Sequence, residues 1–423
     1  MSLLFYVLIV LLLLRPQDIF PSLAGIPILA SLLALGLMSW TFAPRKHVDL
    51  PQFLLLLLLT LAVPLSVALS GWLGGAPHAF DEFAPQAALF VIASMAARRL
   101  EALRVAMWLT VLCGCTIVLH GHLQLAHGIG PLTGVLPREG RTYYVGIFND
   151  PNDLGQLLVV AIGFCLYLVE SGTARIGRLL LVLALAWLCY GVYLTDSRGA
   201  MLAIVGVLAI VAARRYGRVV MLITAALAVP ALFAATRLSK LSASEESASM
   251  RVDAWYEGLQ MLRSHPLRGV GYGNFADQNA GLTAHNILIL PMAELGLVGY
   301  AIWFAFVLYT VRMLWWVAHG SHARPTNDRK APTHGNSAVM DEIAAARGLE
   351  VACVGYAISA FFLSQSFKAL LYLLAGMVVA RFISSSTLLP QAPRYQLIRD
   401  LPKLLVIALV SVVGMYVLVV ILL

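Results

Sequence analysis

The stretch "LTDSRGAML", residues 194–202, joins two long apolar runs, 178–194 and 199–213, through a short polar turn at 195–199. Each run approaches the roughly 20 apolar residues that cross about 30 Å of hydrocarbon. The stretch therefore reads as the tip of a helical hairpin through a bilayer. Outward from it the same pattern repeats, with candidate spans near 3–14, 23–42, 51–69, 84–97, 102–126, 153–170, 178–194, 199–213, 218–235, 286–317, 349–365, 369–383 and 402–423. The first and fourth are short, which predicts an all-α polytopic membrane protein of about 12 (12–13) transmembrane helices. Composition agrees, since the 423 residues are 60% hydrophobic and 12% charged with a mean hydropathy of +0.85. Bilayer is the solvent for such a chain, and 1–423 reads as a single integral membrane domain.

A formal charge of +8 would suggest an acidic or nucleic-acid partner in a soluble protein. Here topology accounts for most of it, and no nucleic acid is expected. Clusters at Arg45/Lys46, Arg98/Arg99/Arg104, Arg175/Arg178, Arg214/Arg215/Arg218, Arg324/Arg329/Lys330 and Arg394/Arg399/Lys403 recur at every second loop, as cytoplasmic loops require. If 3–14 spans, the amino terminus is cytoplasmic; that run lacks a basic leader and is followed at once by another, which argues against a cleaved signal peptide. The five cysteines, Cys113, Cys115, Cys165, Cys189 and Cys353, all fall in apolar runs without metal-type spacing and read as packing residues. No Gly-rich phosphate loop is present, so work driven directly by ATP is not expected. Residues 318–347 form a polar, Pro/Gly/Ser-bearing segment that reads as a flexible cytoplasmic loop.

Three segments on the opposite, exterior side gather cations that the charge rule leaves unexplained: Arg138 and Arg141 in 127–152, Arg198 in the turn, and Arg237, Lys240, Arg251, Arg263 and Arg268 in the large loop 236–285. Long loops translocate regardless of charge, but a short turn has no such excuse, so Arg198 is expected to meet an anion there. Spans beginning near Pro151, Gly199 and Asn286 turn their amino ends, with unsatisfied N–H groups and the positive dipole end, to that surface. Asn149 or Asp150 can cap the first, and Asp196 or Ser197 the second.

In "ASMRVDAWYEGLQMLRSHP", Val252, Trp255, Leu259 and Leu262 recur at helical spacing between Ser249, a cap, and Pro266, a stop. The large loop thus contains a surface amphipathic helix near the headgroups. Arg251 and Trp255 stand four apart, so they either stack as cation and ring or leave the indole as an interfacial anchor. Gly269, Gly271 and Gly273 lack a dinucleotide-fold context and read as a tight turn. His285 opens the next helix, whose amino end should keep the imidazole neutral and basic. Glu294 lies deeper, where a charge costs roughly 2.5 kcal/mol or more unless paired, and is assigned a structural or orienting role.

The runs "GIFNDPNDLG" (146–155), "TDSRGAML" (195–202), "RVDAWYEGLQMLRSHPLRGVGYGNF" (251–275) and "HNILILPMAELGLVG" (285–299) resemble, in order, the bacterial O-antigen ligase family, whose superfamily includes O-antigen polymerases and protein O-oligosaccharyltransferases. The resemblance implies a GT-C-like glycosyltransferase of the Gram-negative inner membrane with a periplasmic active site, working without nucleotide or metal. Its substrates would be O-antigen linked to undecaprenyl pyrophosphate and a sugar hydroxyl of lipid A-core. It also implies His285 as catalytic base and Arg198, Arg251 and either Arg141 or Arg138 as the diphosphate clamp, supported by Trp255, Ser197, Asn286 and Glu294; His265 is read as structural. A polymerase is the nearest alternative and a protein glycosyltransferase the next. A lipid-linked glycan transporter is disfavoured by the scarcity of mid-membrane charges and the lack of an internal repeat.

Overall fold

The computed structural model of the protein describes residues 1–43, 46–172, 174–217, 219–224, 226, 241–319, 333–388 and 392–423. Arg45, Arg218, Arg237, Lys240, Arg324, Arg329, Lys330 and most of the expected span 218–235 lie outside them. Its long helices are α1 (Ser2–Leu14), α2 (Ile28–Thr41), α3 (Pro51–Leu69), α4 (Ala76–Ala96), α5 (Leu100–His127), α6 (Pro151–Glu170), α7 (Arg175–Thr195), α8 (Arg198–Tyr216), α9 (Leu241–Ser264), α10 (Ile289–His319), α11 (Thr333–Ala360), α12 (Ala369–Leu388) and α13 (Leu397–Leu422). Among the described residues, 10 helices are long and apolar enough to cross a membrane. Two more expected spans are present in other form: α2 has 14 residues, and the longer α4, which packs between α3 and α12, is not one of the ten. The protein is an all-α polytopic membrane protein.

Two helices form the centre. α6 and α12 are buried on nearly every side, whereas α7 and α13 keep one apolar face exposed, as lipid-facing helices do. Since lipid tails are as apolar as leucine, helices in a bilayer associate through close packing of small residues. α6 and α11 show this along their length. A Cβ on Gly163 would stand 2.7 Å from Ala352 Cα, one on Gly348 2.6 Å from Tyr167 Cβ, and one on Gly355 2.5 Å from Val159 Cγ1.

Sequence reading misplaces two boundaries. Ser249 is not a helix start, because α9 begins at Leu241 and Ser249 lies two turns inside it. The loop expected over 318–347 overlaps a helix, because α11 starts at Thr333 and is packed from Glu342 on, that residue being buried. That carboxylate takes two hydrogen bonds from Arg381 Nη1, at 2.8 and 2.9 Å, and one from Ser384 Oγ at 3.1 Å. Arg381 is wholly buried in α12 and also donates to the Ala97 carbonyl.

α10 is two helices joined at Gly296, whose backbone is left-handed (φ 64°, ψ −172°). The break lets the segment after Pro266 dock edge-on. Leu297 N donates to Pro266 O at 2.8 Å, Val270 N to Ala293 O at 2.9 Å and Gly271 N to Glu294 O at 3.0 Å. Backbone groups freed by an interrupted membrane helix are thereby satisfied inside the protein, as a bilayer demands. Gly269, Gly271 and Gly273 all have positive φ, so the tight turn read from their spacing is present.

Candidate functional site

Four pieces of chain meet at one end of the bundle: the segment before α6, the α7–α8 turn, α9, and the residues leading into α10. In the first, Glu139 and Gly140 both have positive φ, 54° and 74°, the signature of a two-residue hairpin turn. Arg138 and Arg141 pair across it, with N–H to carbonyl distances of 3.0 and 2.9 Å. Sequence reading leaves these two arginines equivalent, but the structure separates them. Arg141 is clamped, Nε donating to Thr195 O at 2.8 Å and Nη2 to Asn152 Oδ1 at 3.0 Å. Arg138 is exposed, its Nη1 3.5 Å from Asp150 Oδ2 and its guanidinium 5.1 Å from the Tyr143 ring centre.

Both helix starts are capped as expected. Asp150 caps α6, accepting from Asn152 N at 2.8 Å. Ser197 caps α8, accepting from Ala200 N at 3.4 Å, which makes Arg198 the first residue of that helix. Gly155 lets the two helix starts close up, since a Cβ there would lie 2.8 Å from Ala200 Cβ and 3.1 Å from Ser197 Cβ.

α9 brings Arg251 to the same place. Its guanidinium is held below its ordinary pKa by burial and then by the like charges of Arg198 and Arg141, with Asp150 opposing. Burial likewise lowers Arg141, against the pull of Asp150, Asp196 and Glu139. Four guanidinium groups, Arg138, Arg141, Arg198 and Arg251, thus gather with the carboxylates of Glu139, Asp150 and Asp196, an excess of positive charge that suits an incoming anion. The structure does not stack Arg251 on Trp255. The indole is buried and meets Phe361 edge-on, ring centres 5.6 Å apart at 77°. Nor does α9 lie free among headgroups, because a Cβ on Gly258 would be 2.4 Å from Ile289 Cγ2; its apolar face meets protein.

His285 precedes α10 without belonging to it. Its φ is 46°, and its N–H donates to Ser364 Oγ at 2.9 Å. The cap is the wholly buried Asn286, whose Oδ1 accepts from Leu288 N at 2.8 Å and Ile289 N at 3.1 Å while Nδ2 donates to Phe361 O at 3.0 Å. The imidazole pKa is lowered first by burial and then by the Arg251 charge, with Asp150 pulling the other way. The neutrality expected from a helix dipole therefore has a different source. Glu294 stands apart from the arginines. Its Oε1 accepts from Phe275 N at 3.4 Å, and the charged side chains acting on it are Glu82 and Lys368.

Two participants are missing from the sequence reading. Asp150 reads in sequence only as one of two candidate caps, yet its carboxylate acts on Arg138, Arg141, Arg251 and His285. Residues 361–368 read in sequence only as the end of the span 349–365 and the gap before the next, yet they hold His285 through Ser364 and α6 through Gln365, whose Nε2 donates to Asp153 Oδ1 at 2.6 Å. Its polar run "SQSFK" between two apolar stretches was the available signal. Among the described residues, no group of three or more His, Cys, Asp or Glu side chains is gathered as metal ligands would be.

Residues 183–304 match a family model described as O-antigen ligase. The match takes in less than a third of the chain, and over that part the chain is similar to the family. The matched span contains Ser197, Arg198, Arg251, Trp255, His285, Asn286 and Glu294, and begins after Arg138 and Arg141. No curated protein matches the chain.

Proposed function

We propose that the chain is an O-antigen ligase of the Gram-negative inner membrane. It transfers a glycan from undecaprenyl pyrophosphate to a sugar hydroxyl of lipid A-core at the periplasmic face. The observation that carries this reading is the half-buried Arg251 guanidinium, set against the like charges of Arg198 and Arg141 beside a histidine of lowered pKa. Cations that repel one another gain most when a dianion arrives, and a diphosphate leaving group develops that charge as the anomeric C–O bond breaks. The bond's electron pair goes to the phosphate oxygen, and guanidinium forks suit such oxygens bidentately.

His285 takes the proton of the acceptor hydroxyl while that oxygen attacks the anomeric carbon, a role worth about 10²- to 10⁴-fold in rate. One displacement inverts the configuration. Arg141 joins the clamp and Arg138 lies at its outer edge, while Ser197, Asn286, Trp255 and Glu294 hold the frame. The clamp performs the neutralising task for which other enzymes use Mg²⁺, so the reaction is expected to need neither metal nor nucleotide.

The test is transfer by the purified full chain, in the presence of chelator, from undecaprenyl-pyrophosphate glycan to lipid A-core. Glycan on the core with inverted linkage is the expected product. Donor-to-donor polymer would instead make the chain a polymerase, glycosylated peptide would make it a protein glycosyltransferase, and a retained configuration would overturn the single displacement.

A further inference from the structure

At the end of the bundle opposite the candidate site, where α6 and α8 finish and α11 begins, a cavity of about 330 Å³ opens between these three helices. Arg214 and Arg215 of α8, Arg347 of α11 and Glu170 of α6 line its mouth. The guanidinium groups are oriented, not merely present. Arg214 pairs with Glu350 and donates from Nη1 to Arg347 O at 3.0 Å. Arg347 donates from Nε to Ala318 O at 3.1 Å, and its two terminal nitrogens have no protein partner among the described residues. Arg215 lies over the Tyr216 ring at 6.0 Å. Two carboxylates face three guanidinium groups, and Glu350 is further engaged by His319 Nε2 at 3.8 Å, so the cluster keeps positive charge.

The floor of the cavity has the opposite character. About one helical turn further into the bundle on each helix, Leu166, Val211 and Val351 line the same space. The preference of arginine for cytoplasmic loops accounts for Arg214 and Arg215 being at this end. It does not account for a cavity with a cationic mouth and an apolar floor, whose size falls in the range of about 300–1,000 Å³ typical of small-ligand sites. A free anion would leave that floor unused, and a neutral lipid would leave the arginines unused.

We propose that this cavity binds an anionic phospholipid, its phosphodiester held by Arg214, Arg215 and Arg347 and the first carbons of an acyl chain lying over Leu166, Val211 and Val351. Basic pockets between membrane helices take such headgroups. The site is separate from the transfer site and lies at the other end of the same helices.

The experiment is native mass spectrometry of the purified, delipidated full chain titrated with cardiolipin, with phosphatidylcholine and with inorganic phosphate. One cardiolipin is expected to be retained in preference to phosphatidylcholine, with phosphate failing to displace it. Arg215→Gln and Arg347→Gln should each weaken retention by roughly fivefold. Val211→Trp, which fills the floor without changing charge, should abolish it while the melting temperature stays near that of the parent. Equal retention of phosphatidylcholine, displacement by inorganic phosphate, or undiminished cardiolipin binding by the folded Val211→Trp chain would each overturn the proposal. Should Arg347→Gln fail to fold, the exposed Arg215 and Val211 variants decide.

Discussion

In the proposed transfer His285 can act as base only when neutral, so its surroundings would set the acid limit of the reaction. Burial and the Arg251 charge push its pKa below the ordinary value of about 6.5, so the rate should stay level near neutrality and fall only when pH drops beneath that ordinary value. The Asp150 carboxylate opposes this shift. Asp150→Asn keeps a competent helix cap while removing the charge, so the acid limb of the pH–rate profile should move to lower pH. An unmoved or rising limb would show that Asp150 does not act on the histidine. His285→Ala should cost about 10²- to 10⁴-fold in transfer with donor binding largely kept, measured as kcat against KM. Arg251→Lys should not rescue Arg251→Gln, because an ammonium cannot present the two-pronged donor geometry that a diphosphate accepts. Recovery of the rate in the lysine variant would reduce Arg251 to a point charge.

Among the elements, α12 and the broken α10 carry the frame on which those residues stand. Arg381 is wholly buried against Glu342, so Arg381→Leu leaves an unpaired carboxylate in the interior and should cost about 3–5 kcal/mol. The double change Arg381→Leu with Glu342→Leu should recover most of that loss in a thermal melt, since an apolar pair of similar volume removes the stranded charge. Gly296→Ala should be as damaging, because the added Cβ would meet Leu267 C at 2.5 Å at a left-handed backbone position. These features mark where sequence reading stops. Apolar runs, caps at Asp150 and Ser197, and the stop at Pro266 are local, so spacing and residue type announce them. Arg381 sits inside an apolar run, and Glu342 in a segment polar enough to look like a loop; only the packing of α11 on α12 makes them partners. For the same reason Arg138 and Arg141 stayed equivalent in sequence, since what divides them is the Thr195 carbonyl and Asn152, contributed by two other helices.

At the scale of the whole molecule, the charges are divided between two ends. Helices α6 and α8 start at the arginine and histidine cluster and finish at Arg214, Arg215 and Glu170, while α11 runs back the other way, its end at Ala360 accepting from Ile287 N at 3.2 Å. The order of spans fixes that Arg198 and Arg215 lie on opposite faces of the bilayer, and the recurrence of basic clusters at every second loop points the Arg215 end to the cytoplasm. With that end in the cytoplasm, Arg138, Arg141, Arg198 and Arg251 would be exterior cations against the rule, a placement with no topological benefit and a direct chemical one if the anion they meet is carried by a lipid in the outer leaflet. The two faces can be told apart in intact cells. In a chain whose five native cysteines are replaced by alanine or serine, Arg198→Cys should react with a membrane-impermeant maleimide added from the periplasmic side. Arg215→Cys should react only after the inner membrane is opened. Labelling in the reverse order would invert the molecule and place the arginine cluster where no periplasmic transfer can occur; labelling of both from one side would break the span order on which the site rests.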